Sequence, residues 1–406
     1  MSSKVVIIGA GPAGTIAGSL LARNGHRVVI FEREHFPRFS IGESLLPQAM
    51  VWIEEAGLLG LVEAEDFQPK DGAVFRMGEQ HQVIDFLDKT TPGPALTYQV
   101  PRDRFDHVLA KGALAAGVEI RFGCRVTSFT PGTDRVSLSI LEEDGTEEIV
   151  RAGFVLDASG FGRVLARLLD LDRPGDFPTR AALFTHVGDV GTDDRFDHMK
   201  ILISIHPEIR DIWYWLIPFR NGLASIGAVG PVELLDCQGA SDQERLDKLV
   251  AASGHMAAIL KNAEPRRPVG RITGYARSVT SLTGPGFALL GNAAEFLDPV
   301  FSSGVTIAMK SASLAAQNLD RQLRGAAVDW RADYETPLKV GIDTFRAYVE
   351  AWYDFTLQDI IFGSPGADGS VTRMITSVLA GYAWDTQNPF VRDPKRYLSM
   401  VQSMTR

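Results

Sequence analysis

The feature that most constrains the fold is a glycine-rich turn that follows a short apolar run at the amino terminus. Residues 5–8 read VVII, a β-branched stretch typical of a strand buried on both faces. Gly9, Gly11 and Gly14 then form the pattern G-x-G-x-x-G. In such a turn the first glycine permits a tight bend, the second admits a pyrophosphate, and the third lets helix pack on strand. The sequence therefore predicts a strand, a phosphate-binding turn and a helix.

An acidic residue follows at the distance that this pattern requires. The predicted helix, with Ala13 in its first turn, ends near residue 24, and a second apolar strand over residues 27–31 leads to Glu32. Glu32 lies 32 − 14 = 18 residues beyond Gly14, close to the ~20 at which a carboxylate meets a ribose hydroxyl. The helix amino terminus offers free N–H groups and a positive dipole end to phosphates. Together these features predict dinucleotide binding.

The overall composition limits which classes of protein the chain can belong to. Its 406 residues exceed the length at which one hydrophobic core stops growing, so two domains are expected. The formal charge of 41 − 50 = −9 argues against nucleic-acid and anionic-membrane partners. No apolar run approaches the ~18 residues of a membrane span, and the first residues read as a strand rather than a signal peptide. We therefore expect a cytoplasmic location.

Cysteine and histidine usage favours neither a disulfide framework nor a metal site. Cys124 and Cys237 are the only cysteines, far apart and outside any C-x-x-C pair. The eight histidines form no H-x-x-x-H or H-E-x-x-H pair. We expect no bound metal.

The loop after the second strand carries the first resemblance to a known family. Residues 37–48 read PRFSIGESLLPQ, and this segment resembles the P-R-x-x-x-G-E-S-L loop of FAD-dependent halogenases and geranylgeranyl reductases. Its residues alone would describe a polar, solvated loop. The resemblance implies that the dinucleotide is FAD, with Arg38 and Ser44 among its contacts.

A second segment, residues 286–319, repeats the order of strand, glycine turn, polar stretch and helix. It resembles the second FAD motif of the same superfamily, G-D-A-A-x-x-x-D-P, with Asn292 in place of the usual aspartate. An amide can still hydrogen-bond a ribityl hydroxyl, so FAD binding is expected to survive the change. The helix is predicted to begin near Val305. The cofactor contacts implied here are Gly291, Asn292, Pro299, Gly304 and Val305.

Two further segments fit this superfamily. Residues 101–120 read as a helix whose first turn resembles R-x-x-F-D, which implies that Arg102 lies near the cofactor. Residues 153–169 read as a buried strand ending in DASG, a form closer to halogenases and isoprenoid reductases than to flavin hydroxylases. Val126 and Asp157 complete the residues expected at the cofactor.

Between the two FAD motifs the periodicity changes to that of strands, over residues 180–190, 199–206, 211–219 and 223–230. Asn221-Gly222 predicts a two-residue type I′ hairpin turn between the last two. Alternation places Trp213, Trp215 and Ile217 on one strand face. Spacing alone favours a structural role for both tryptophans, as anchors of the sheet.

Residues 213–218 read WYWLIP and match W-x-W-x-I-P at every fixed position. This hexapeptide is a signature of flavin-dependent halogenases that geranylgeranyl reductases lack, and with the FAD motifs the resemblance covers most of residues 1–330. It implies that Trp213 and Trp215 separate the substrate from the flavin, so that the substrate is not hydroxylated directly.

The same family implies a lysine that handles the halogenating species. Residues 70–75 resemble the K-x-G-A-x-F pattern of halogenases acting on phenols or pyrroles, which makes Lys70 the candidate; considered alone, it would be a solvated loop residue. Backbone N–H groups of Ser303 and Gly304 are expected to bind halide. Phe301 stands where tryptophan halogenases have glutamate, which argues against free tryptophan as substrate.

The expected fold class is α/β, with an FAD-binding Rossmann-like domain of the glutathione-reductase-2 type interleaved with a β-sheet substrate domain, plus C-terminal helices. We assign residues 1–66, 99–178 and 270–330 to the FAD-binding domain, 67–98 and 179–269 to the substrate domain, and 331–406 to the helical segment. The aromatic residues of this segment are expected mainly to pack.

The expected function is that of a two-component halogenase using FADH2, O2 and chloride or bromide on a phenol or pyrrole, free or tethered to a carrier protein. Because only one dinucleotide fingerprint occurs, a separate NAD(P)H-dependent flavin reductase is implied. The alternatives are a geranylgeranyl-reductase-like enzyme or hydroxylase, and a non-catalytic flavin-binding protein, which the change at Asn292 would favour.

Overall fold

The computed structural model describes residues 4–132, 135–188, 190, 196–363 and 369–405. Two large sheets organise it, together with three small ones and a set of helices. Asp189, inside the strand predicted over 180–190, lies outside the described residues.

The first large sheet, called here the parallel sheet, carries the dinucleotide motif. Its strands, in spatial order, are Thr283–Gly284, Phe287–Leu289, Phe154–Asp157, Val5–Ile8, Val28–Phe31 and Glu119–Arg121. All neighbours are parallel except the first pair. Ile8 lies opposite both Asp157 and Phe31, so the carboxyl ends of these strands meet at the Gly9 turn. This edge is where ligands bind in open parallel sheets.

The second large sheet, called the mixed sheet, joins chain segments far apart in sequence. Its strands, in spatial order, are Glu264–Pro265, Arg180–Gly188, Ala224–Pro231, Trp213–Pro218, Lys200–Ile205, Gly72–Met77 and Gln80–Asp85. Gly270–Thr273 also pairs with Arg180–Gly188. The pairing of Lys200–Ile205 with Gly72–Met77 is parallel, and the others are antiparallel. The α/β class is confirmed, whereas our domain boundaries remain a proposal.

Three small sheets complete the strands. They are Cys124–Thr130 with Val136–Glu142 and Glu147–Ala152, Asp172–Pro174 with Arg277–Val279, and Gln68–Lys70 with Thr97–Gln99.

The α-helices surround the sheets and form most of the carboxyl-terminal segment. They are Pro12–Arg23, Ala49–Glu55, Leu59–Glu63, Arg102–Ala115, Val164–Leu168, Val232–Asp236, Asp242–Ala252, His255–Ile259, Ser303–Leu323, Thr336–Tyr353, Thr356–Phe362, Gly369–Leu379, Pro389–Arg392 and Pro394–Thr405. Among the described residues, none of the helices has the length and apolar character needed to cross a bilayer.

Two predictions about local structure were wrong. The hairpin after Pro218 turns through a 3₁₀ segment, Arg220–Gly222, closed by the Phe219 N–H donating to the carbonyl of Leu223, and not through a two-residue turn. The side chain of Phe219 is buried, which keeps that residue with the strand. The helix predicted over 101–120 ends at Ala115, because Gly117 turns the chain with φ +95° into an edge strand of the parallel sheet.

Candidate functional site

A cavity of about 410 Å³ runs from the Gly9 turn of the parallel sheet to Trp213 and Trp215 on the mixed sheet. Most of the cofactor residues expected from the sequence line it. These are Gly9, Gly11, Ala13, Glu32, Arg38, Ser44, Arg102, Val126, Asn292, Pro299, Gly304 and Val305. Within the part of the chain that the structure describes, its lining omits Gly14, Asp157, Gly291, Ser303 and Lys70.

The glycine turn leaves room for a phosphate where the motif requires it. Gly9 has φ +94°, a backbone conformation that favours glycine. Gly14 is required by packing, because a Cβ there would lie 2.0 Å from the Gly9 carbonyl oxygen. A Cβ on Gly11 would meet no described atom closer than 3.6 Å, the Arg38 Nη2. The helix Pro12–Arg23 has no side-chain cap, so its first N–H groups are open to a pyrophosphate. The cradle therefore fits a dinucleotide.

Glu32 directly follows the strand Val28–Phe31 and lines the cavity. It is buried, and its Oε2 accepts a hydrogen bond from the Ala10 N–H at 2.8 Å while Oε1 accepts one from the Glu34 N–H at 3.0 Å. These bonds fix the carboxylate beside the glycine turn. Val126 also lines the cavity.

The loop around Arg38 is held by one buried carboxylate that our site prediction did not include. Asp106, fully buried, accepts both guanidinium arms of Arg102, at 2.7 and 2.9 Å, and lies 3.1 Å from Arg38 Nη1. Arg102 also donates to the carbonyl of Ile41 at 2.5 Å. The D of the R-x-x-F-D pattern was the available signal, because it lies one helical turn from Arg102.

Asp157 and Gly291 act behind the cavity surface. The Asp157 carboxylate accepts hydrogen bonds from the Ser159 N–H at 3.0 Å and the Leu165 N–H at 2.6 Å, and burial raises its pKa. A Cβ on Gly291 would lie 2.8 Å from the Cβ of Ala308 in the long helix. Both residues lie at strand ends next to residues that line the cavity, and their expected contact with the cofactor stays a prediction.

The tryptophan strand forms the opposite side of the cavity. Trp213, Trp215 and Ile217 line it, as alternation predicted, while Tyr214 and Leu216 pack into a second core on the other sheet face. The two indole rings lie 6.0 Å apart. Each is anchored at its nitrogen, because Trp213 Nε1 donates to Tyr353 OH at 3.2 Å and Trp215 Nε1 to Ser225 Oγ at 3.1 Å.

Gly227, on the neighbouring strand, leaves the space in which the ring of Trp215 lies. A Cβ there would come within 2.3 Å of Trp215 Cζ2. We expect Gly227→Ala to lower the free energy of unfolding by about 1–3 kcal/mol, because overpacking moves the ring. Thermal unfolding in the wild-type and Trp215→Leu backgrounds checks this. The cost should largely vanish in Trp215→Leu, and an equal cost in both backgrounds would mean that the ring is not displaced.

Asp298 joins three parts of the site, although it was not among the site residues expected from the sequence. Its Oδ2 accepts hydrogen bonds from Tyr275 OH at 2.9 Å and Tyr353 OH at 2.7 Å, and burial raises its pKa. Tyr353 in turn accepts the indole N–H of Trp213. The guanidinium carbon of Arg180 lies 3.4 Å above the ring of Tyr353. The last residue of the helix Thr336–Tyr353 thus links the tryptophan strand to the cofactor segment.

Lys70 is buried in the protein interior, whereas the residue considered alone would be expected in a solvated loop. Its side chain is 1% exposed, and its Nζ donates to the carbonyl of Leu45 at 2.8 Å, 5.3 Å from the centroid of the Phe86 ring. Burial lowers the pKa of Lys70 to about 7. Leu45 directly follows Ser44, which lines the cavity.

The long helix begins at Ser303, next to cavity-lining Ser302 and Gly304. Ser302 adopts a left-handed conformation with φ +55°, and no side chain caps the helix. The first N–H groups of this helix are therefore available to an anion or to a polar cofactor edge. Phe301 packs edge-on against Tyr348 and Trp352, inside an aromatic cluster with no carboxylate in its place.

A parallel sheet with a glycine cradle, and a single cavity shared between that cradle and a tryptophan-lined sheet, define a dinucleotide-binding oxidoreductase class. Among the described residues, no group of three or more histidine, cysteine, aspartate or glutamate side chains could hold a metal ion.

Comparison with known proteins identifies the cofactor and the family. The FAD-binding domain family matches residues 2–336. The chain is 31% identical over 340 residues to the 1H-pyrrole-2-carbonyl-[peptidyl-carrier protein] brominase of Pseudoalteromonas luteoviolacea, covering 82% of this chain and 80% of that one. It therefore belongs to the FAD-binding flavin-dependent halogenase family.

Two other similar proteins show that membership of the family does not by itself identify the reaction. Tryptophan 2-halogenase of Chondromyces crocatus is 31% identical over 335 residues, which are 80% of this chain and 62% of that protein's length. A flavoprotein/dehydrogenase from Cytophaga hutchinsonii has 41% identity and a TM-score of 0.96, covering 100% of this chain and 99% of that one. Similar sequences and the same fold thus occur in proteins described by different activities.

Proposed function

We propose that this chain is a two-component halogenase that uses FADH2, O2 and chloride or bromide to halogenate an electron-rich phenol or pyrrole. The observation that carries the proposal is Lys70, a buried amine beside the loop that lines the FAD cavity. A lysine without function is rarely buried, since desolvating an ammonium costs several kcal/mol. Hypohalous acid is a neutral oxidant that such an amine can hold by hydrogen bonds.

The reaction balances in two parts. Bound reduced FAD supplies two electrons, so that FADH2, O2, halide and a proton give FAD, water and hypohalous acid. The aromatic carbon then takes the halogen and loses its proton, which leaves with the hypohalous oxygen as water. Lys70 is proposed to hold the hypohalous acid and to donate an N–H to its oxygen, which stabilises the charge that develops there.

The cavity residues have separate parts in this proposal. Gly9, Gly11, Glu32, Arg38 and Arg102 bind FAD. Trp213 and Trp215 keep the substrate out of the cofactor space. The N–H groups at the start of the long helix, at Ser303 and Gly304, bind the halide.

The identity of residue 301 supports the proposed substrate class. Phe301 itself supplies no carboxylate that could serve as a base for an unactivated ring, and it packs against Tyr348 and Trp352. A phenol can lose its own proton, and a pyrrole is already electron-rich. The similarity to a brominase named for a carrier-bound pyrrole supports a substrate tethered to a carrier protein.

A separate NAD(P)H-dependent flavin reductase is proposed as the source of FADH2. Since that reductase draws on the NAD(P)H pool, we propose that the reaction takes place in the cytoplasm.

The deciding experiment supplies the purified protein with FAD, a flavin reductase, NADH, O2 and either halide, together with phenols, indoles and pyrroles, free or as carrier thioesters. Products are read by mass spectrometry. A halogen isotope pattern on a phenol or pyrrole supports the proposal, whereas hydroxylated or reduced products would contradict it. The second candidate is reduction or dehydrogenation, favoured by the 41% identity to a flavoprotein/dehydrogenase, and it predicts turnover without halide.

The pH dependence of halogenation should reveal the protonation state in which Lys70 acts. Burial lowers its pKa to about 7. Because the proposed role is donation from the ammonium, we expect the single-turnover rate of substrate halogenation to fall as pH rises through about 7. A rate that instead rises through 7 would mean that the neutral amine attacks the oxidant. The rate of flavin oxidation over the same range serves as the control.

A further inference from the structure

The strand that carries Lys70 belongs to a ribbon whose buried face is polar throughout. Gln68–Lys70 pairs antiparallel with Thr97–Gln99, and Lys70 lies directly opposite Thr97. Because side chains alternate along a strand, Gln68, Lys70, Thr97 and Gln99 share one face. Their exposed fractions are 8, 1, 0 and 0%.

A ribbon that served only the fold would bury apolar side chains here. Each buried polar group costs free energy unless it is hydrogen-bonded. The amide nitrogens of Gln68 and Gln99 donate to the carbonyls of Pro69 and His198, so the polar atoms of this face that lack a partner are the ones that need another explanation.

Several hydrogen-bonding atoms on and beside this face have no partner among the residues that the structure describes. They are Thr97 Oγ1, Gln99 Oε1 and Ser44 Oγ. Lys70 Nζ, with up to three donors, makes its one described hydrogen bond to the Leu45 carbonyl. The set combines donors and acceptors and can satisfy a small molecule that both donates and accepts.

Ser44 connects this face to the cavity. It lines the cavity and forms an isolated antiparallel bridge with Gln99. The unpartnered atoms therefore extend from the edge of the FAD cavity along the ribbon to Lys70. Phe86 covers the amine.

We propose that Thr97 and Gln99 are positioning residues that hold hypohalous acid at Lys70, a role that rests on the function proposed above. The oxidant donates its O–H to Gln99 Oε1 and accepts from the Lys70 N–H, while the Thr97 hydroxyl bonds its oxygen from across the ribbon. These three bonds limit the directions in which the halogen can point. No covalent bond to the protein is required.

The test uses the full-length protein with its reductase and measures where the oxidant goes. Thr97→Val and Gln99→Met remove the polar atoms at similar volume, Thr97→Ser restores the hydroxyl, and Ser19→Ala removes an unpartnered buried hydroxyl elsewhere. Each protein receives a phenol or pyrrole that the wild type halogenates, together with dimedone, a soluble scavenger of free hypohalous acid. Halogenated scavenger, halogenated substrate, flavin oxidation and thermal unfolding are recorded.

We expect the ratio of halogenated scavenger to halogenated substrate to rise about tenfold in Thr97→Val and Gln99→Met, at the upper end of what losing one hydrogen bond between neutral groups costs. Flavin oxidation should not change, and Thr97→Ser and Ser19→Ala should resemble wild type.

A wild-type ratio in folded Thr97→Val and Gln99→Met would overturn the positioning role, even if both are less stable. Should Thr97→Val not fold, the ratio for Gln99→Met decides alone. A wild-type protein that halogenates neither scavenger nor any substrate would instead overturn the proposed function, and with it this inference.

Discussion

Replacing Lys70 with methionine is expected to lower substrate halogenation by at least about 10²–10³-fold while reduced flavin is still oxidised at the wild-type rate. Losses of this order follow the removal of one well-placed donor from a water-poor site. Lys70 lies outside the described lining of the FAD cavity, so FAD binding should be retained. Product is measured by mass spectrometry and flavin oxidation by absorbance.

The same change should stabilise the protein. Burial lowers the folded-state pKa of Lys70 from 10.5 to about 7, so the unfolded chain binds the proton more tightly. The resulting cost to stability is complete below about pH 7 and shrinks as pH rises toward 10.5. We expect Lys70→Met to raise the free energy of unfolding by a few kcal/mol at pH 7 and by little near pH 10.5. Denaturant unfolding at both pH values measures this.

Lys310 provides the matched control. It is half-buried, burial lowers its pKa too, and it lies beside Trp52 and Trp384, outside the described cavity lining. Lys310→Met should keep halogenation. Full halogenation by Lys70→Met, or equal losses in the two variants, would contradict the role proposed for Lys70.

Gly11→Ala is expected to weaken FAD binding by about 10–100-fold without loss of stability, the cost of one methyl group in a filled site. The added Cβ would meet no described protein atom within 3.5 Å, and the Gly11 backbone, at φ −72°, suits any residue. The methyl group would instead lie where the motif brings a pyrophosphate against the backbone. Affinity is measured by flavin fluorescence quenching and stability by thermal unfolding of the FAD-free protein.

Substitutions at two other glycines serve as controls that distinguish an effect on FAD binding from an effect on stability. Gly14→Ala should lower stability itself, because its Cβ would lie 2.0 Å from the Gly9 carbonyl oxygen. Gly60→Ala, in the helix Leu59–Glu63 with open space around it, should change neither property appreciably. Unchanged affinity in Gly11→Ala would mean that the pyrophosphate does not approach this turn.

The parts of the site that could be predicted depend on short-range rules. The glycine spacing, the apolar strands and Glu32 lie within one strand–helix–strand unit, in which steric and hydrogen-bonding rules act over a few residues. Alternation correctly placed Trp213 and Trp215 on one face of their strand, because the strand period is independent of the rest of the fold. The prediction of a two-residue hairpin turn at Asn221-Gly222 was wrong, because burial of Phe219 opposed the local turn preference of these two residues.

The chemical character of the site depends on contacts between residues far apart in the chain. The 1% exposure of Lys70 follows from packing against Leu45 and Phe86, and Asp298 acquires its role from Tyr353, 55 residues later. Local sequence was thus sufficient for the phosphate cradle, the strand faces and the family resemblance. The pKa of Lys70, the brace around Asp298 and the polar ribbon were set by folding, because desolvation and hydrogen bonding depend on every group brought near in space.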